Sequence, residues 1–292
     1  MAEPIGLMFH EDTPLFREAV NFTASRTGFN PRLIEKDYFC TVLLAYLAEC
    51  SGGFVFKGGT CLAKVHAGFY RLSEDLDFTI PLSINANRKT RSQAVLPARK
   101  AVTNIADFIP ALKCTESLTG ANNSTQYNGV IAYKSPTTGQ QESILVEISV
   151  REPLLLPVIK GQANTLLLDP IGGETLVPAI TVDCIDMIEA MAEKFRAALS
   201  RQDVAIRDFY DLDYAAKHLG LDMYDDQMVD LVRQKLAVPG NLPVDVGQQR
   251  QADLRRQLDA RLRTVLREDD FRAFDLKQAI RLAVTMAEKV CP

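Results

Sequence analysis

Two carboxylates stand two residues apart at Asp75-Leu76-Asp77, in a stretch that alternates in polarity. Leu76, Phe78 and Ile80 fall on one face of a strand, and Asp75, Asp77 and Thr79 on the other. Residues so spaced lie about 6–7 Å apart along a strand and repel each other unless a cation sits between them. Oxygen ligands of this kind suit Mg²⁺, which completes its shell with water and substrate phosphate. An Asp-x-Asp pair is also an ordinary feature of solvent-facing strand edges. Here the fully apolar opposite face argues for a half-buried strand whose aspartates have a chemical task.

Upstream, Phe54-Val55-Phe56 reads as a short buried strand closed by Gly58-Gly59. From Thr60 the residues Leu62, Val65, His66 and Phe69 fall at helical spacing. Glycines between strand and helix let backbone amides approach a phosphate, and the helix start adds a favourable field. Thr60 can bond a phosphate oxygen or cap the helix. Glu147, on the polar side of a later strand, is a third carboxylate candidate. Three carboxylates would serve a metal-assisted displacement. Further on, Lys194 and the run Arg207-Asp208-Phe209-Tyr210-Asp211 stand out. Arg207, Asp211 and Tyr214 are spaced i, i+4, i+7 off the apolar stripe. They form either a surface ion pair or a positioning pair beside a phosphate clamp at Lys194.

These groups need a scaffold. Residues 14–50 read as two helices, the second starting at Pro31. Strand candidates are 113–118, 126–134 and 143–150, the last two flanking a Ser-Pro-Thr-Thr-Gly turn. A Pro- and Gly-rich stretch spans 153–178, and the pattern then turns helical to the end. One apolar stripe holds Ile185, Ile188, Ala192, Phe195 and Leu199; a second holds Phe209, Leu212, Ala216 and Leu219. The expected class is α/β (α+β), with a mixed-sheet domain over 1–180 and a helical domain over 181–292.

The 292-residue chain is 47% hydrophobic and 24% charged with a net charge of −4, the balance of a globular protein rather than a general nucleic-acid binder. Positive charge is nonetheless concentrated at Arg88, Lys89, Arg91, Arg99 and Lys100, and again from Arg250 to Arg281 among acids. Either stretch could be a footprint for a polyanion or a solvated helix face. Six scattered cysteines without a CxxC pair or a nearby histidine cluster argue against zinc and for reduced thiols. Without a long apolar run or a signal-like start, a cytoplasmic protein with no membrane partner is expected.

Phe56-Lys57-Gly58-Gly59-Thr60, followed by Arg71-Leu72-Ser73-Glu74-Asp75-Leu76-Asp77-Phe78, resembles the AbiEii/AbiGii toxin family, including the MenT-type toxins. Leu33-Ile34-Glu35-Lys36-Asp37-Tyr38, Ala192-Glu193-Lys194-Phe195 and Arg207-Asp208-Phe209-Tyr210-Asp211-Leu212 are similar too, so the likeness covers roughly residues 30–215. The resemblance implies a DNA polymerase beta-like nucleotidyltransferase lobe before a helical lobe. It implies a type IV toxin–antitoxin toxin, encoded beside an AbiEi-like repressor, that uses an NTP and Mg²⁺ or Mn²⁺. MenT-type members act on the tRNA acceptor end.

By the same resemblance, Asp75 and Asp77 are metal ligands, and Glu147 is the further candidate. Lys57, Gly58, Gly59, Thr60 and Ser73 are the nucleotide-binding candidates, Arg207 has a phosphate or a structural role, and Lys194 and Asp211 are active-site residues. The superfamily usually has Gly-Ser where this chain has Gly-Gly-Thr, which keeps the hydroxyl; the gap from Thr60 to Asp75 is long. Arg88, Lys89 and Arg91 are candidates for holding an RNA acceptor. The expected function is nucleotide transfer to the 3′ end of tRNA, blocking translation. Competing readings are transfer to a protein or small-molecule hydroxyl, and a nucleotide-binding module without turnover.

Overall fold

A computed structural model describes residues 8–50 and 52–291. Residues 1–7, part of the N-terminal stretch read for a signal, lie outside the described residues. The chain forms two compact units. One ends at Leu154 and resumes over Val158–Ile185; the other comprises Leu155–Pro157 and the chain from Asp186 onward.

The first unit opens with α1 (Thr13–Thr27) and α2 (Pro31–Glu49). Asp12 and Asn30 cap their first turns, and Gly28 takes the left-handed conformation that ends α1. Then follow β1 (Val55–Lys57), the single turn α3 (Gly58–Cys61) and β2 (Leu76–Thr79). The helix expected from Thr60 onward is cut short. A π-turn over Leu62–His66 widens it, and Gly68 and Phe69, both at positive φ, reverse the chain. The buried Lys64 accompanies the wider turn: its ammonium reaches the Asp37 carboxylate at 2.6 Å and the Thr41 hydroxyl at 2.7 Å.

The basic segment forms α4 (Arg88–Ala94) and α5 (Leu96–Thr103), followed by β3 (Leu112–Ala121), β4 (Gln126–Lys134) and β5 (Gln141–Ser149). The expected β4–β5 hairpin is present, with Gly139 at φ +75° in its turn. Ile144, Val146, Ile148 and Val150 are buried, as their alternation demands. Two strands were not legible: β6 (Ile159–Ala163) and β7 (Ile180–Cys184), where the sequence reading saw only a Pro- and Gly-rich stretch before helices. The buried residues of β6 include Gly161 and Ala163, too small to give a hydrophobic signal.

Among the described residues the seven strands make one sheet in the order β3-β4-β5-β2-β1-β7-β6. It is mixed: β2 runs parallel to β5 and β1 parallel to β7, while the other neighbours are antiparallel. The second unit holds α6 (Met187–Ser200), α7 (Ile206–His218), α8 (Asp226–Ala237), α9 (Gln248–Gln257), α10 (Glu268–Ala273) and α11 (Leu276–Val290). The class is thus the expected one, a mixed α/β fold with a helical C-terminal part. Among the described residues no helix is long and apolar enough to cross a membrane.

Candidate active site

Strand pairing lines up the polar face of the sheet. Lys57 on β1 is the register partner of Asp77 on β2, and Asp77 is the partner of Glu147 on β5. Asn128 on β4 continues the row opposite Glu147. Register partners point to one face, with strands about 4.8 Å apart, so Lys57, Asp77 and Glu147 project side by side. Asp75, two residues before Asp77, shares that face. All four are half-buried rather than sealed in the core. The Gln126 amide donates to Glu147 Oε2 at 2.6 Å, orienting that carboxylate.

The glycine turn closes over this row. Gly58 has φ +75°, and a Cβ there would lie 2.1 Å from Asp77 Oδ2. The Asp77 carboxylate therefore rests on the bare α-carbon of Gly58. A Cβ on Gly59 would lie 2.5 Å from Arg71 Nη2 and 3.2 Å from Ser73 Oγ. Gly58, Gly59, Ser73 and Asp77 are thus brought together as the sequence proposes, with Arg71 added. In the sequence Arg71 stands only as part of a motif, yet its side chain is among the largest fully buried ones. Thr60 is also buried, and its hydroxyl donates to the backbone carbonyl of Asp75. In this structure it pins the aspartate strand rather than offering a hydroxyl to a phosphate.

Next to Asp75, Glu74 accepts from Lys36 at 2.9 Å and Arg32 at 3.2 Å. Burial alone would raise the Glu74 pKa, but the two cations outweigh it and hold the carboxyl below its ordinary value. Arg32 also forks onto Glu142 of β5 with two 2.8 Å bonds. Helix α2 therefore fixes the segment entering β2 against the strand that carries Glu147.

The donor set of the row is carboxylate oxygen, with no thiol or imidazole among Asp75, Asp77 and Glu147. It fits a hard divalent cation such as Mg²⁺ or Mn²⁺.

Within the helical unit, Lys194 on α6 is engaged by two aspartates of α7, Asp208 at 2.9 Å and Asp211 at 2.8 Å. Asp211 is fully buried, so it is not half of a surface pair with Arg207 at i, i+4; it faces inward to Lys194. Asp208 was missed as a partner in this triad. Arg207 itself is half-buried.

The basic stretch needs correction. Arg88, Lys89 and Lys100 are exposed. Arg91 is buried, and its guanidinium donates to the Ile84 carbonyl at 3.2 Å, so it is not available to hold an acceptor. Arg99 bonds the Leu118 carbonyl and lies over the Tyr127 ring. Several of the later arginines are occupied as well, while Arg255, Arg261 and Arg281 are exposed. Arg250 is buried against the last carbonyls of α6, Arg263 pairs with Glu268 and Asp259, and Arg267 with Asp270.

No curated protein sequence matches the chain. Among solved structures, JHP933 from Helicobacter pylori has a similar fold, with a TM-score of 0.51 at 16% identity over 90% of this chain and 94% of that one. A second solved H. pylori chain aligns with a TM-score of 0.46 at 15% identity, over 90% and 97%. At such identity the JHP933 likeness speaks to the fold alone. The family described as nucleotidyl transferase AbiEii toxin, type IV TA system, matches residues 42–282. That match takes in the glycine turn, the paired aspartates, Glu147 and the Lys194 triad. Because it spans most of the chain, the protein belongs to the AbiEii family of type IV toxin–antitoxin toxins and is a nucleotidyltransferase.

Proposed function

We propose that the protein transfers a nucleotide from an NTP to the 3′ end of tRNA in a Mg²⁺- or Mn²⁺-dependent reaction, and thereby blocks translation. The observation that carries this reading is the row Lys57–Asp77–Glu147 across three neighbouring strands, with the Asp77 carboxylate over Gly58. Asp75, Asp77 and Glu147 would hold the metal, which when bound neutralises phosphate charge and favours the attacking hydroxyl. The acceptor oxygen bonds to the α-phosphorus, the α–β anhydride bond breaks, pyrophosphate leaves and the hydroxyl proton is lost.

The chain's own residues bind and orient. Gly58 and Gly59, lacking side chains, let triphosphate oxygens approach the backbone between Asp77 and Ser73. Lys57 and Arg71 place positive charge beside that turn, balancing the leaving pyrophosphate. Thr60 acts through Asp75, whose backbone it anchors. Lys194, Asp211 and Arg207 enter by family resemblance, and their roles are proposed with no geometry beyond the triad. For the acceptor, Arg88, Lys89 and Lys100 supply an exposed cationic strip suited to an RNA backbone. An extended acceptor end could not be aminoacylated. The partner implied by the family is an antitoxin, and an AbiEi-like repressor encoded alongside is the proposed one.

The test is incubation of the protein with Mg²⁺, each α-labelled NTP in turn and total tRNA, beside Asp77→Asn. Label should enter tRNA with the wild type and fall by about two orders of magnitude or more in the variant, whose unfolding curve stays intact. Label entering protein instead would replace the tRNA reading. Label nowhere, with NTP still bound, would replace transfer by binding alone.

A further inference from the structure

Cys61 and His66 stand five residues apart, Cys184 follows 118 residues after His66, and none of the three has a role assigned above. In the fold one ligand atom of each lies within 4.8 Å of the others. Cys61 ends the turn α3, His66 ends the π-turn and Cys184 ends β7. Scattered cysteines without a CxxC pair or a nearby histidine cluster argue against zinc in the sequence. In the fold, the parallel pairing of β7 with β1 brings Cys184 to Cys61 and His66. Both cysteines are fully buried and His66 is half-buried. Cys184 is the register partner of Phe56 and so lies on the opposite face of the sheet from Lys57 and Asp77.

We propose that Cys61, His66 and Cys184 form a second metal site, specific for a thiolate-seeking divalent ion such as Zn²⁺ and separate from the carboxylate row. Four observations support it. The donor set is two sulfurs and one imidazole, a combination found at zinc sites and foreign to Mg²⁺. A tetrahedral ion with Zn–S bonds of about 2.3 Å sets its sulfurs roughly 3.8 Å apart, inside the 4.8 Å within which the ligand atoms of the cluster lie. His66 Nε2 lies 3.0 Å from the Ile185 carbonyl, and donation there leaves Nδ1 as the ring's lone-pair nitrogen. Such a carbonyl partner is the outer support typical of a ligating histidine. Gly161 of β6 makes room: a Cβ there would lie 2.6 Å from Cys184 Sγ.

The charges also close. Two thiolates, a neutral imidazole and a divalent ion sum to zero, which removes most of the cost of burying each charge separately. On binding, two metal–sulfur bonds and one metal–nitrogen bond form, and two thiol protons pass to solvent. Water on the His66 side would fill the fourth position. The ion would then tie the end of the glycine turn to the end of β7.

The experiment uses the full chain, reduced with a phosphine, with Zn²⁺ and Co²⁺ as probes. One Zn²⁺ per chain should survive gel filtration, and Co²⁺ should give a thiolate charge-transfer absorption. Cys184→Ala and Cys61→Ala should each weaken that band, and Asp75→Asn/Asp77→Asn should leave it unchanged. Should the buried replacements fail to fold, His66→Asn at the half-buried position keeps the test. It should lower Zn²⁺ affinity by more than the about 10–100-fold that an outer-shell partner costs. Co²⁺ without a thiolate band, a band that persists in the cysteine variants, or Zn²⁺ lost with the Asp75/Asp77 variant would overturn the proposal.

Discussion

Gly58 shows how tightly single atoms constrain this site. Its φ of +75° is one that side chains avoid, and the space a Cβ would need is filled by the Asp77 carboxylate. Gly58→Ala should cost about 1–2 kcal/mol for the backbone alone. The clash adds to that and drives Asp77 out of register with Glu147. Urea unfolding and tRNA labelling together check it: the variant should lose activity well beyond its loss of folded protein. At this scale the sequence was a good guide to residue type. Gly58, Gly59, Ser73 and Asp77 meet, and Glu147 joins them because strand register puts it there. What it hid was direction. A hydroxyl at Thr60 looks the same in sequence whether it faces a phosphate or the Asp75 carbonyl, and Arg91 reads as basic whether exposed or turned in toward Ile84.

Helix α2 is the element on which the α/β unit is organised. Three consecutive charged residues, Glu35, Lys36 and Asp37, are all buried. Each reaches a different segment: Glu35 accepts from the Thr137 amide in the β4–β5 turn, Lys36 bonds Glu74 before β2, and Asp37 pairs with Lys64 in the π-turn. The Glu-Lys-Asp string of the family resemblance is therefore a set of struts. Asp37→Ala leaves the Lys64 ammonium buried without its counter-charge and should destabilise by about 3–5 kcal/mol, measured as a fall in the urea midpoint. Helices with strong apolar stripes and the β4–β5 hairpin were legible because period and turn chemistry agreed. The π-turn was not, because the contact that accompanies it, Lys64 on a helix 27 residues earlier, leaves no local signal.

For the whole molecule, a net charge of −4 coexists with exposed cations at Arg88, Lys89 and Lys100. If these cations hold RNA, neutralising all three to Gln should raise the KM for tRNA with little change in kcat. It should also flatten the dependence of log affinity on log salt by about 2. Filter binding over a salt series reads this directly. The charge of such a surface is invisible in composition, since acids elsewhere offset it; only the burial of Arg91 and the half-buried, bonded state of Arg99 show which cations of this stretch remain for a partner.

The strand order carries a consequence in time. Lys57, Asp77 and Glu147 are all synthesised by residue 149, yet β1 gains its second neighbour only when β7 arrives at Ile180–Cys184. Until then β1 is a three-residue strand at the edge of an unfinished sheet, and the glycine turn hangs from it. A nascent or prematurely terminated chain thus holds every residue of the carboxylate row without the support that fixes them. For a cell that makes a nucleotidyltransferase toxin, the carboxylate row gains its full sheet support late in the chain, after the ribosome has nearly finished with the α/β unit.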